Sequence, residues 1–497
     1  MQDTKAAPIG RPAFLQGSNR LWIGGQWVPA QSGDEIDAIN PADGSVIARL
    51  ARGSAADVDR AVGAARKAFE GPWSRWSPNE RQKLLLRIND LLLQHAEELA
   101  TIETMDMGAP LARTRGTIGW ISGLIRFFAS CTGAATATTN SNSLPGRVMA
   151  LTHKAPLGVV GGIIPWNGPL GGQWWTLGPT LATGCTCVIK PAEDAALSIL
   201  RFADILTEAG VPDGVVNIVT GYGSEAGAAL AAHPGVDKIS FTGSTEAGRR
   251  IVQASAGNLK RLQLELGGKS PNIVFADSDL DRAVPGAAMA VFNNSGQICY
   301  SGTRLFVQRS IQEEFVERLK QFSATLKVGN GLQDGVDLGP LISQRQLDRV
   351  MGYVDIGPKE GATLATGGAR LGGALASGYF VEPTVFDNVS NSMTIAREEI
   401  FGPVISVLPF DSVEDVLRMA NDTEYGLGGG VWTRSLATAH QVSQGIRSGA
   451  VWVNCYGVVD PNVGFGGVKM SGYGWKGSQE HVDSFLYRKA VYMNIDG

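Results

Sequence analysis

The chain is poor in the residues that usually announce chemistry: five cysteines and five histidines in 497 positions. Cys131, Cys185, Cys187, Cys299 and Cys455 show no paired spacing of a disulfide framework, and the Cys-Thr-Cys at 185–187 lacks a second pair that would make a thiolate metal site. Reduced thiols are expected, and with them a cytoplasmic protein. Charge is equally sparse, 18% of residues, with 43 basic against 47 acidic side chains and no basic block. That balance argues against a nucleic-acid partner, which needs a concentrated positive face. Long apolar runs are missing too. Gly, Pro or charge interrupts each one short of a membrane span, and the opening MQDTKAAPIGRPAF has no apolar leader core, so no membrane partner is expected. No fixed-period repeat indicates a solenoid or propeller.

What is present is enough apolar residue, 44%, in a chain long enough for two or three domains. Residues 17–53 alternate apolar positions between Gly, Pro and Asn-Pro turns, which predicts a strand-rich opening segment. Helices are predicted next: Ser54 and Asp57 form a capping signal, and Ser77 to Met107 carries apolar residues at helical spacing. From residue 158, short β-branched runs (VVGGIIP, CVIKP, VVNIVTG, KISFTG) alternate with longer amphipathic ones. This is the pattern of parallel β-α-β units with helices on both faces of a sheet, a dinucleotide-binding architecture by default. A second α/β unit is expected from LQLELGGKSPNIVFAD to about residue 450, and the tail HVDSFLYRKAVYMNI predicts an edge strand suited to pairing across a subunit interface.

Two glycine-rich strand-to-helix turns compete for a phosphate. GYGSEAG (221–227) and GSTEAG (243–248) each open a helical run, where free N–H groups and the helix dipole favour an anion. Neither completes G-x-G-x-x-G, and each taken singly is equally readable as a tight turn. In VIKPAED, Lys190 and Glu193 fall just past a predicted strand, at the edge where open parallel sheets bind ligands, although position alone also suits a solvated surface pair. Glu265 precedes a Gly-Gly pair by one residue, where a carboxylate can reach a site and stay partly desolvated. Cys299 follows a helical pattern and the polar lead-in NNSGQI, whereas Cys185 and Cys187 begin an apolar strand. A free cysteine is more often a small core hydrophobe than a nucleophile, so Cys299 needs support from elsewhere in the chain.

That support is a set of six motifs in order: PWNGPL (165–170), FTGSTEAG (241–248), LELGGKSPNIV (264–274), NNSGQICYSGTR (293–304), EEIFGPV (398–404) and GFGGVKMSGYG (464–474). Together, from about residue 20 to the C-terminus, they resemble the NAD(P)-dependent aldehyde dehydrogenase superfamily. The resemblance implies an α/β fold: a Rossmann-type cofactor domain (1–134 and 152–262), an α/β catalytic domain (263–450) and a small β bridging arm (135–151 and 476–497) supporting a homo-oligomer, dimer or tetramer. It implies Cys299 as nucleophile, Glu265 as general base, and Asn167 as the amide that completes an oxyanion hole with the Cys299 N–H. It implies NAD as cofactor and no metal. Lys190 and Glu193 match the adenosine-ribose contacts, Ser244 the pyrophosphate contact, Glu399 the nicotinamide-ribose ligand and Phe401 its neighbour. Ile164, Pro165, Trp166, Gly223, Gly227, Phe241, Gly243, Leu266 and Gly267 complete the expected cofactor surface. The charge of Glu193 would repel a ribose 2′-phosphate, favouring NAD over NADP.

The chain departs from the family pattern at the expected substrate pocket. Gly168 and Gly172 stand where bulkier residues are common, Trp175 keeps an aromatic wall, Asn293 and Val459 replace frequent aromatics, and Ile298, Tyr300 and Phe465 complete the lining. Lost bulk predicts a wide pocket for a bulky or ring-bearing aldehyde substrate. Thr176 stands where the family often has Lys, and Lys476 where it often has an acidic segment. We expect Lys476 to supply the missing cation beside Glu265. A cysteine hydrolase would need an imidazole partner for Cys299 and leaves the cofactor motifs unexplained; a CoA-acylating enzyme would keep Cys299 and typically lack Glu265.

Overall fold

In the computed structural model, which describes residues 12–17 and 19–496, the alternation beginning near residue 158 builds a sheet of eight strands. Five are parallel, in the spatial order Arg261–Glu265, Lys238–Thr242, Val159–Ile164, Thr186–Pro191 and Val216–Ile218. The short strand Gly472–Tyr473 caps one edge antiparallel, and the hairpin Leu21–Ile23 and Gln26–Val28 caps the other. Val159–Ile164 and Thr186–Pro191 are buried at every residue, which is why they appear in sequence as unbroken apolar runs and not as alternation. The chain runs from Val159–Ile164 to one side and later returns on its other side through Lys238–Thr242. The carboxyl ends around that reversal carry Ile164, Thr242 and Glu265, and a ligand crevice is expected there.

Helices cover this sheet. Ser54 and Asp57 make the predicted capping box at Ala55–Glu70, and Ser77 with Glu80 makes another at Pro78–Gln94. The long helical pattern to Met107 divides at His95, with Ala96–Met107 following, and then Leu111–Ser130. Their apolar faces share one cluster with Trp174 and Leu177 of the helix Trp174–Thr183.

A second sheet of seven strands runs Thr363–Thr366, Thr384–Asp387, Val404–Phe410, Arg304–Gln308, Pro271–Val274, Gly428–Trp432 and Ala450–Val453. All neighbours are parallel except the first pair. The C-terminal strand Leu486–Asn494 pairs antiparallel with Val148–Pro156 over nine residue pairs, and Ala137–Asn140 completes a three-stranded sheet. The tail is thus an edge strand. Residue 151 lies inside Val148–Pro156, residue 262 inside Arg261–Glu265, and residue 450 begins Ala450–Val453, so three of the expected domain limits coincide with strands.

Candidate active site

A strained turn places Cys299. The helix Leu280–Phe292 ends at Asn293, and the next three residues are left-handed: Asn294 (φ 53°), Ser295 (φ 54°) and Gly296 (φ 75°). Each non-glycine residue there costs roughly 1–2 kcal/mol, which surrounding bonds must offset. Ser295 Oγ donates to the Gly339 carbonyl (2.7 Å), Gln297 Nε2 donates to the Asn294 carbonyl (3.2 Å), and Gln297 Oε1 accepts from the Ile342 N–H (3.0 Å). Only glycine fits at 296, since a Cβ would stand 1.9 Å from the Gly402 carbonyl oxygen.

The same turn holds Asn167. Its Nδ2 donates to the Gln297 carbonyl (2.8 Å), while Asn294 Nδ2 donates to the Asn167 carbonyl (3.1 Å). One amide hydrogen of Asn167 is engaged, leaving a second donor. Cys299 is half-buried at the junction of two clefts, each of about 410 Å³, and Asn167, Pro165 and Thr242 line both with it. Burial, reinforced by the nearby Glu399, pushes the Cys299 thiol up to about 12 against the opposing pull of the Tyr300 and Cys299 N–H groups.

The first cleft is lined by all eight residues of the expected substrate pocket, Gly168, Gly172, Trp175, Asn293, Ile298, Tyr300, Val459 and Phe465, and by Glu265. The two glycines differ in what they open. A Cβ at Gly168 would meet nothing within 4 Å, whereas one at Gly172 would touch Ile164 at 3.3 Å, and Trp120 lies over neighbouring Gly171. Trp120 and Trp175 meet edge-on, their rings 5.6 Å apart. Glu265, buried at the end of its strand, forms an ion pair with Lys476 Nζ, which also donates to Thr242 Oγ1 (2.7 Å). Reciprocal backbone bonds between Lys476 and Phe465 deliver the lysine to this point. Burial pulls the Lys476 pKa down to about 7. Thr176 packs toward Gly162 inside the sheet-helix interface, so the cation beside Glu265 comes from Lys476.

The second cleft takes Trp166, Gly243, Ser244, Gly267, Glu399 and Phe401 from the expected cofactor surface. Phe401, itself left-handed at φ 60°, meets Trp166 edge-on at 5.2 Å. Ser244 caps the helix Thr245–Ala254 by accepting from the Ala247 N–H. Glu399 accepts from the Gly268 N–H (3.0 Å) and lies so close to Gly267 that a Cβ there would stand 2.3 Å from its Oε2. Burial raises the Glu399 pKa to about 7, countered by the Gly268 N–H and by Lys269. Lys190 and Glu193 pair at 2.8 Å, and the Gly223 N–H donates to Glu193, beside Gly227. These four form a separate group at the end of Thr186–Pro191, outside the cleft lining. Ile164, Phe241 and Leu266 are buried behind it.

Several lining residues carry no local signal in the sequence. Arg113, Thr117 and Trp120 come from the helix Leu111–Ser130, and Gln346 and Arg349 from Gln344–Lys359. Only the packing of those helices over the sheets brings them in. Thr242 was within reach of the rule that ligands gather at strand carboxyl ends. Among the described residues, no histidine lines either cleft.

The second cleft suits a dinucleotide: a capped helix N-terminus at Ser244, a glycine-thinned floor at Gly243 and Gly267, and a carboxylate at Glu399 to accept ribose hydroxyls. With the parallel sheet beneath it, this defines a dinucleotide-dependent oxidoreductase. The aldehyde dehydrogenase family model matches residues 27–491. The chain is 44% identical to a benzaldehyde dehydrogenase of Antirrhinum majus, over 97% of this chain and 90% of that protein, and 44% identical to the cytosolic aldehyde dehydrogenase 1 of Mus musculus, over 96% and 95%. It is also similar to the NAD+ complex of an aldehyde dehydrogenase from Bacillus cereus, with TM-score 0.95 and 43% identity over 97% of this chain and 98% of that one. The chain belongs to the aldehyde dehydrogenase family, as an NAD-dependent enzyme that oxidises aldehydes.

Proposed function

We propose that the enzyme oxidises a bulky, ring-bearing aldehyde to its carboxylic acid, with Cys299 as nucleophile, Asn167 as oxyanion donor and Glu265 as general base. The observation that carries this reading is the position of Cys299 on both clefts, between a glycine-opened aromatic pocket and the dinucleotide side. With its pKa raised, the resting sulfur is a thiol, and Glu265 on the same cleft takes its proton. The thiolate adds to the aldehyde carbon, and the new alkoxide meets the free Asn167 amide N–H and the Cys299 N–H, a contribution on the order of 3 kcal/mol per donor. NAD, when bound, supplies the acceptor for the hydride that the carbinol carbon loses, which leaves a thioester on Cys299. Glu265, having passed the thiol proton to solvent, then removes a proton from water as it attacks that thioester and gives it to the departing sulfur, releasing acid and thiol.

The presence of Glu265 on the cleft favours water over CoA as the second acceptor, and the absence of a lining histidine disfavours a cysteine hydrolase. Lys476 is proposed to hold Glu265 ionised between turnovers. The domain limits, bridging arm and homo-oligomer expected from sequence are proposed with this function. Leu144, Met149, Tyr492 and Met493 are exposed on or beside the three-stranded sheet and suit burial against a second copy. The five free thiols are consistent with the cytoplasm.

The test is NADH production with a panel of aromatic and aliphatic aldehydes, with Cys299→Ala as the inactive control. Benzaldehyde-type substrates should be at least as good as acetaldehyde in kcat/KM. A thousandfold preference for acetaldehyde, about 4 kcal/mol in the transition state, would overturn the wide-pocket reading.

A further inference from the structure

The substrate cleft contains a cation that this chemistry does not use. Three charged side chains line the cleft, Arg113, Glu265 and Lys476, and the last two form an ion pair with each other. Arg113 is left without a countercharge. Among the described residues its side chain makes a single hydrogen bond, from Nε to Asn293 Oδ1 at 3.2 Å, and no carboxylate lies within ion-pair distance. The acid that acts on it most from a neighbouring element is Glu103 of the helix Ala96–Met107, which is fully buried, driven up to about 7 by that burial, and engaged by the Leu170 N–H. Tyr300, the other group facing Arg113, is a phenol whose pKa burial raises to about 12, so it stays neutral.

The placement is also unfavourable for the helix. Arg113 stands in the first turn of Leu111–Ser130, where the dipole disfavours positive charge. A half-buried guanidinium held in that position, with its Nε committed to Asn293, presents its two terminal nitrogens as a fork. That fork matches the two oxygens of a carboxylate. Asn293 fixes its direction, because the left-handed turn beginning at Asn294 ties it to the segment that carries Cys299.

We propose that Arg113 is a specificity-determining residue that receives a carboxylate carried by the aldehyde at the end remote from its carbonyl. The inference rests on the reading that this cleft takes the aldehyde. The substrate then lies with its carbonyl at Cys299, its apolar body between Trp175 and Tyr300, and its anionic end at Arg113 with Asn293.

The experiment compares kcat/KM for 4-formylbenzoate, its neutral methyl ester and benzaldehyde in the wild type, Arg113→Leu and Arg113→Lys enzymes. The wild type should favour 4-formylbenzoate over the ester about 30-fold, the range of a charge-assisted contact. Arg113→Leu should bring 4-formylbenzoate and its ester to within about twofold of each other, with the loss falling on KM for the carboxylate, and Arg113→Lys should keep part of the preference. A Tm equal to that of the wild type shows that the variants fold. Benzaldehyde turnover without any preference for the carboxylate overturns the role of Arg113 alone, as does an equal loss on all three substrates in Arg113→Leu. Failure of the wild type to oxidise any of the three overturns the pocket assignment and this inference with it.

Discussion

Lys476 and Glu265 form a buried ion pair at the edge of the first cleft. Removing the ammonium leaves a buried carboxylate with burial acting unopposed, so the carboxylate pKa must rise. Lys476→Ala should therefore move the acid limb of the deacylation pH profile to higher pH; an unmoved limb would show that Lys476 does not hold Glu265 ionised. Glu399 makes a second pH-dependent prediction. Its carboxyl, raised to about 7 by burial, accepts hydrogen bonds well only when ionised. NAD affinity should strengthen as pH rises from 6 to 8, and Glu399→Gln should weaken binding and flatten that dependence in a titration of intrinsic fluorescence. Lys190, Glu193 and Glu265 were visible in the sequence as charged residues at predicted strand ends. Arg113 was not, because a lone arginine in a helical stretch is locally indistinguishable from a solvated one.

At the scale of elements, the Asn294–Gly296 turn does most to assemble the site. It directs Asn167 through the Gln297 carbonyl and sets the seam position of Cys299. Gly296→Ala forces a Cβ into the Gly402 carbonyl and adds left-handed strain, a cost on the order of 3 kcal/mol or more. We expect a lowered Tm and a fall in kcat much larger than any change in NAD affinity, because the second cleft draws its floor from Gly243 and Gly267. A variant with normal kcat would mean that the turn is not needed to aim the thiol. The hydrophobic periods made the strands and helices legible, but they could not show the break at His95 or the strand return at Gly472–Tyr473. The first is a local change of helix direction without a proline, and the second is a two-residue strand whose pairing depends on Glu265 and Leu264 lying beside it.

For the whole molecule, the C-terminal strand Leu486–Asn494 joins two distant parts of the chain through its pairing with Val148–Pro156. Truncation after Phe485 should expose that strand, reduce the proposed oligomer to smaller species in analytical ultracentrifugation, and leave both sheets with their native far-ultraviolet signal. A full-length enzyme that sediments as a monomer would sink the proposed assembly.

The sequence by itself determined the α/β class and the order of the strands along the chain, because backbone periodicity and turn chemistry act over a few residues, and it marked the cofactor motifs and the candidate thiol only through the resemblance carried by six motifs in order. Lys476 beside Glu265 was expected from the departures from the family pattern, whereas only the tertiary structure decided that Arg113 meets Asn293 and, among the described residues, no carboxylate. Glu265 and Lys476 are 211 positions apart, and Arg113 and Asn293 are 180 apart. Their meeting is set by how two sheets and their covering helices pack, and burial there gives each charge a weight that its neighbours in the sequence cannot supply.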